Sequence, residues 1–161
     1  MTTATTLGGL DAVASLVAQY PQVPGALLPL LHAVQDLLGY IPDDAVPLIA
    51  KGLNLSRAEV HGVITYYHYF RSKPTGRTVI QVCRAEACQA CGADALLAHA
   101  EQVLGCKSHH TSDDGAYTLE PVYCLGMCAS SPAIMVDNQL HARVTLKKFN
   151  QLIATNPGEG V

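Results

Sequence analysis

The chain has 161 residues, of which 49% are hydrophobic and 14% charged, and a formal net charge of −3. That much apolar sequence builds a core and excludes a disordered chain, while 10 basic residues scattered along it leave no footprint for nucleic acid. No apolar run approaches the roughly 20 residues of a membrane span, and the start, Met1-Thr-Thr-Ala-Thr-Thr-Leu-Gly-Gly9, lacks the positive charge and apolar centre of a secretory signal; a soluble, cytoplasmic protein without membrane insertion is expected.

The first 65 or so residues read as helices. Leu10, Val13, Leu16, Val17 and Tyr20 recur at helical spacing, and Pro21 ends the run. Pro24 suits a first helical turn, from which Leu27, Leu28, Leu31, Val34, Leu37 and Leu38 form an apolar stripe up to Gly39. Pro29 lies early enough in that helix to cost only a local bend. Asp43 is a candidate cap for a third helix ending at Lys51-Gly52, kept short or distorted by Pro47. Ser56-Arg-Ala-Glu59 has the form of a capping box, in which each end satisfies an orphaned backbone donor, and Val60, Val63 and Ile64 continue that helix. Brief helices with short connections pack as an antiparallel bundle. Nothing in it carries obvious chemistry.

Thr65-Tyr-Tyr-His-Tyr-Phe70 concentrates Tyr66, Tyr67, Tyr69 and Phe70 in six residues. Large aromatics favour burial, which suggests a segment covering a seam between two domains; Tyr is also enriched at interfaces, which suggests a contact surface for another subunit. Arg71-Ser-Lys-Pro-Thr-Gly-Arg77 is a polar connector rich in turn residues. The boundary falls there, with a helical domain over 1–75 and a second domain over 76–161.

The second half alternates. A strand at about 78–83 precedes a helix in which Ala93, Leu96, Leu97, Ala100, Val103 and Leu104 share one apolar face. Residues 106–115 read as an exposed loop. Strands follow at about 117–124 and 133–136, the turn signal Asp137-Asn138 leads to a partner strand near 139–144, and Thr145 is a candidate cap for a last helix whose Leu146, Phe149, Leu152 and Ile153 point inward. The tail from Asn156 is expected to fray. The expected class is α+β: an N-terminal helical bundle, then a thioredoxin-like four-stranded mixed sheet with flanking helices.

Six cysteines in a cytosolic chain are poor candidates for disulfides. Cys83-Arg-Ala-Glu-Ala-Cys88 and Cys124-Leu-Gly-Met-Cys128 each close an apolar strand and enter a tight loop. Two strand ends side by side would bring four thiols together, and four thiolates on loops suit a [2Fe–2S] cluster, two sulfurs to each iron. Structural zinc would also take four thiolates, although this domain has enough apolar sequence to fold without a metal. A thiol–disulfide oxidoreductase is the third reading, because Cys88-Gln-Ala-Cys91 is a Cys-x-x-Cys at a helix start. That reading leaves Cys83, Cys124 and Cys128 without a role. Cys106 reads as a small buried hydrophobe.

The two pairs, with Tyr123-Cys-Leu-Gly-Met-Cys-Ala-Ser-Ser-Pro-Ala-Ile-Met-Val136 and Val60-His-Gly-Val-Ile-Thr-Tyr-Tyr67, resemble the thioredoxin-like [2Fe–2S] subunit of NADH dehydrogenases, the 24-kDa-subunit family of respiratory complex I. The resemblance spans nearly the whole chain. Such subunits also serve NAD-reducing hydrogenases and NAD-dependent formate dehydrogenases. Tyr67-His-Tyr-Phe-Arg71 and Cys83-Arg-Ala-Glu-Ala-Cys-Gln-Ala90 are most similar to the gamma subunit of the molybdenum-dependent, NAD-linked formate dehydrogenases.

The resemblance implies a redox subunit with no catalytic residues of its own. Its single [2Fe–2S] cluster, on Cys83, Cys88, Cys124 and Cys128, would exchange electrons with a flavin on a partner subunit. FMN, NAD and the molybdenum cofactor would all belong to partners. Cys91 and Cys106 lie outside the ligand pattern. Thioredoxin-like folds often place a cis proline just before the strand corresponding to 133–136, which makes Ser131-Pro132 a candidate cis bond; the alternative is a trans proline that simply starts the strand. Gly-x-Gly-x-x-Gly and P-loop patterns are absent, and His109-His110 read as solvated.

Overall fold

The computed structural model describes residues 3–20 and 24–155; Pro21 and the tail from Asn156 lie outside the described residues. The chain packs as two compact units that meet in sequence at Pro74 and Thr75.

The first unit holds α1 (Thr3–Val17), α2 (Leu27–Leu38), α3 (Val46–Leu53) and α4 (Arg57–Tyr66), with a 3₁₀ turn at Asp43–Ala45 leading into α3. Val13, Leu30, Leu31, Val34, Ile49 and Val60 are fully buried at its centre. α2 begins at Leu27, three residues after Pro24, and puts Pro29 in its first turn, where a missing N–H breaks no intrahelical bond. Gly39 ends the helix with φ of 80°, a left-handed conformation that glycine adopts without steric penalty. The capping box is complete: Glu59 N–H donates to Ser56 Oγ, and Ser56 N–H donates to Glu59 Oε2 at 2.8 Å. A Cβ on Gly52 would overlap Val17 Cγ1, so a larger residue there would force the Val17 side chain or the helix to shift.

The aromatic stretch is anchored by a residue that the apolar pattern passes over. Gln35, buried on α2, donates from Nε2 to Tyr69 O at 2.9 Å and accepts at Oε1 from Arg71 N–H at 2.8 Å. Phe70 is buried in the unit's own core and lies beside His32, whereas Tyr66, Tyr67 and Tyr69 remain exposed.

The second unit is a five-stranded mixed sheet, β1 (Thr78–Cys83), β2 (His110–Thr111), β3 (Tyr117–Val122), β4 (Ile134–Val136) and β5 (Gln139–His141), in the order β2-β3-β1-β4-β5. β1 is central, parallel to β3 and antiparallel to β4. α5 (Glu86–Ala90), α6 (Ala93–Leu104) and α7 (Leu146–Thr155) complete the unit, and Ile80, Val82, Leu96, Ala100, Leu119, Ile134 and Phe149 form its buried core.

The sequence pattern predicts four strands; β2 is the fifth, inside the stretch read as an exposed loop. Two residues carry no period-2 signature, so β2 exists through its pairing with Leu119 and Thr118 and through the Thr111–Thr118 hydroxyl contact of 2.8 Å. β3 stops at Val122, short of the predicted end at Cys124, and β5 stops at His141, short of 144. β2 pairs β3 only at Thr118 and Leu119, leaving an edge further along where Pro121's missing N–H is tolerated. Gly76 permits the entry to β1: a Cβ there would stand 2.8 Å from the Tyr117 backbone, and Gly76 N–H donates to Thr118 Oγ1 at 2.7 Å.

Candidate metal centre

Register places the two cysteine loops together. β1 and β3 run parallel with Cys83 opposite Val122, so both strands release their chains at the same end of the sheet. Arg84 N–H donates to Val122 O at 2.7 Å and holds the two exits side by side. After β1 the chain turns into α5, which carries Cys88. After β3 it reaches Cys124, then a 3₁₀ turn from Cys128 to Ser130. Cys83 N–H donates to Ala133 O at 3.1 Å, tying β1 to the segment before β4.

The sulfurs come in pairs. Cys83 and Cys88 hydrogen-bond to each other, and Cys124 Sγ lies 4.0 Å from Cys128 Sγ. Among the described residues no three His, Cys, Asp or Glu side chains gather as ligands for one metal ion. The first pair is buried, each residue 2% exposed, among Ala93, Ala133 and the half-buried Ala85, Val122, Leu125 and Met127. The second pair is exposed. Backbone N–H groups approach several sulfurs: Ala85 and Leu125 at Cys83, Ala133 at Cys88, and Gly126 at Cys124 with 3.3 Å.

These surroundings act differently on each thiol. Burial pushes Cys83 up, against the lowering effect of its two N–H donors. At Cys88 burial also opposes ionisation, but hydrogen bonds from Ser131, Cys83 and Ala133 outweigh it and leave the thiol below its ordinary value. Cys128 is raised by its hydrogen bond with Cys124 and by that sulfur's charge. A group of four thiols that holds on to protons in part must lose them on binding metal.

Two features of the edge escape the sequence pattern. Cys124 has φ of 137°, a backbone conformation that L residues rarely adopt. Ser131 lies between the loops, its Oγ 3.4 Å from Cys88 Sγ and donating to Cys128 O at 2.9 Å. A serine three residues after a cysteine carries no distinctive signal in one sequence. Nearby, Arg84 is paired with Asp94 at 2.7 Å, which ties the first loop to the start of α6. The Ser131-Pro132 bond is cis, which decides between the two isomers left open by the sequence.

All four expected site residues, Cys83, Cys88, Cys124 and Cys128, thus reach one edge of the sheet. Cys91 ends α5 exposed to solvent, and Cys106 is buried in the sheet's core. Burial raises the Cys106 thiol, as suits an inert side chain. The donor set fits a two-iron cluster: soft sulfur ligands taken two by two, with loop N–H groups directed at the sulfurs.

Paired thiols on loops at one end of a thioredoxin-like sheet define an iron–sulfur electron carrier. Residues 13–156 match the thioredoxin-like [2Fe-2S] ferredoxin family, and the chain belongs to it. Its cofactor is a [2Fe–2S] cluster. It is 32% identical over 143 residues to one of the NADH-quinone oxidoreductase subunits of Rhizobium meliloti, covering 89% of this chain and 85% of the relative. It is 33% identical to an NADH-quinone oxidoreductase subunit of Escherichia coli K12, with 89% and 86% covered. It is 29% identical to the NADP-reducing hydrogenase subunit HndA of Solidesulfovibrio fructosivorans, with 88% and 83% covered. The crystal structure of an H2-reduced NAD+-reducing [NiFe]-hydrogenase shares the fold, with a TM-score of 0.72 at 19% identity over 86% of this chain; the chain spans 23% of that one. Among the described residues no helix is long and apolar enough to cross a membrane.

Proposed function

We propose that Cys83 and Cys88 hold one iron of the cluster and Cys124 and Cys128 the other, and that the chain passes electrons between this cluster and a flavin on a partner subunit of a cytoplasmic, NAD-linked oxidoreductase. The observation that carries the reading is the register of β1 with β3, which brings two separately paired sets of thiols to one edge. When bound, the cluster supplies a one-electron store between a donor and an acceptor. The chain's own part is to hold four thiolates, direct N–H groups of Ala85, Leu125, Gly126 and Ala133 at them, and leave the Cys124–Cys128 side open to a partner.

The finer reading is the gamma subunit of a molybdenum-containing, NAD-dependent formate dehydrogenase. It rests on Tyr67-His-Tyr-Phe-Arg71 and Cys83-Arg-Ala-Glu-Ala-Cys-Gln-Ala90. The equivalent subunit of an NADH-quinone oxidoreductase or a hydrogenase is the alternative, favoured by the names of its relatives. A thiol–disulfide enzyme built on Cys88 and Cys91 has less support, because the side chains that reach the Cys88 sulfur are Cys83 and Ser131. As a docking edge for the flavoprotein, Leu125 and Met127 are half-turned inward onto the buried cysteines, whereas Tyr123 is 68% exposed. Tyr123→Glu is therefore the substitution that probes docking without disturbing the packing around the buried cysteines.

Purified protein is expected to be brown and to give an electron paramagnetic resonance signal on reduction. Cys124→Ser is expected to lose or badly perturb that signal, and Cys91→Ala to keep it. A colourless protein holding one zinc overturns the ligand assignment. Formate-dependent reduction of NAD by the co-purified assembly tests the finer reading, and an assembly inert to formate sinks it.

A further inference from the structure

We propose that the Ser131 hydroxyl is a two-position hydrogen-bond donor that links the cysteine loops and raises the reduction potential of the cluster through Cys88. The inference rests on Cys88 being a ligand and adds a residue outside the ligand set. Ser131 Oγ has two neighbours, Cys128 O at 2.9 Å and Cys88 Sγ at 3.4 Å, one from each loop. With the Cys88 thiol protonated, the thiol donates to Ser131 Oγ and the hydroxyl proton is free to go to Cys128 O.

A metal-bound Cys88 has lost its proton and can only accept. The hydroxyl is then the proton source between the two oxygens and the sulfur, and rotation about one side-chain bond directs it to either acceptor. Hydrogen bonds to an anionic acceptor are stronger than those to a neutral carbonyl. Reduction adds a negative charge to the sulfurs and their irons, which favours the position aimed at Cys88. A donor that stabilises the reduced form more than the oxidised form raises the potential. Ser131 is well held for this role. Ser130 N–H donates to Met127 O at 2.9 Å on one side of it, and Val144 N–H donates to Pro132 O at 2.9 Å on the other.

The test compares Ser131→Ala with Ser131→Thr and wild type by redox titration, followed by paramagnetic resonance, with iron content and circular dichroism measured on each. Ser131→Ala is expected to load the cluster and to be harder to reduce by about threefold to tenfold in the equilibrium constant, tenfold being about 59 mV for one electron. Ser131→Thr, which keeps a hydroxyl on Cβ, is expected to restore the wild-type value. A fully loaded Ala variant whose potential stays at the wild-type value overturns the inference. So does a folded Ala variant that fails to load, since the hydroxyl would then act in assembly. Ser131→Gly removes the same hydroxyl and replaces Ala should that chain not fold. A wild-type protein without the cluster sinks the ligand assignment instead, so the two failures are distinct.

Discussion

The two cysteine loops carry paired thiols in opposite surroundings. Cys83 and Cys88 lie in a small apolar cage with Ala93 and Ala133, and N–H donors reach both sulfurs. Cys124 and Cys128 sit exposed on a loop with a left-handed glycine, and Gly126 N–H is the donor at Cys124. Side chains from α6 and from the segment before β4 close over the first loop; the second projects beyond the end of β3. On the ligand assignment proposed above, the buried pair would be shielded from solvent and the exposed pair would lie nearer a partner.

The largest expected effect is chemical access. In the metal-free chain, alkylation followed by mass spectrometry is expected to label Cys124, Cys128 and the exposed Cys91 on the order of 100-fold faster than Cys83, Cys88 and Cys106, because access to the sulfur outweighs the thiolate character that by itself favours Cys88 over Cys128. Equal rates at the two pairs would erase the contrast.

Crowding the cage comes next. Ala93 is fully buried beside Cys83 and Cys88, so Ala93→Leu is expected to cost about 1–3 kcal/mol through overpacking and to lower the iron content. Ala129→Leu, on the exposed loop, is expected to change neither. Denaturant melts and iron assays on both variants decide the point. A similar loss from both substitutions would show that the second loop is packed as tightly as the first.

A smaller effect is expected at Gly126, whose φ of 77° suits glycine. A Cβ there meets nothing within 4 Å, so the cost of Gly126→Ala is conformational, about 1 kcal/mol. The variant should melt slightly earlier yet keep the cluster. An unchanged melting temperature would mean that this loop adapts freely.

The smallest effect lies away from both loops. Glu101 on α6 accepts from Lys107 Nζ at 2.8 Å and from Ser108 N–H and Oγ at 3.0 Å, and these bonds, the one from Lys107 foremost, lower its carboxyl to about 2. A carboxyl depressed in the folded state contributes stability above its unfolded value near 4.5, and that contribution is lost as pH falls toward 2. Glu101→Gln is therefore expected to flatten part of the acid side of the stability profile between those limits, as followed by denaturant titration. An identical profile would place the acid sensitivity elsewhere.

The residue pattern determined by itself the helical first half, with its Ser56–Glu59 capping box, the strand–helix–strand order of the second, and two closely spaced cysteine pairs in the loops after β1 and β3. Each of these is a local signal: an apolar period, a cap, or a short ligand spacing within one loop. Tertiary structure alone decided what depends on separate segments meeting. Two-residue β2 exists because Leu119 and Thr118 stand opposite it. Gln35 is buried because Tyr69 and Arg71 return to use both ends of its amide. The parallel register of β1 with β3 brings Cys83 and Cys124 to one edge, and α6 and the segment before β4 bury the first pair while leaving the second exposed. Ser131 reaches Cys88 across 43 residues of chain. Such contacts have no period or spacing in the sequence, because the energy that selects them comes from burial and hydrogen bonding between residues far apart along the chain.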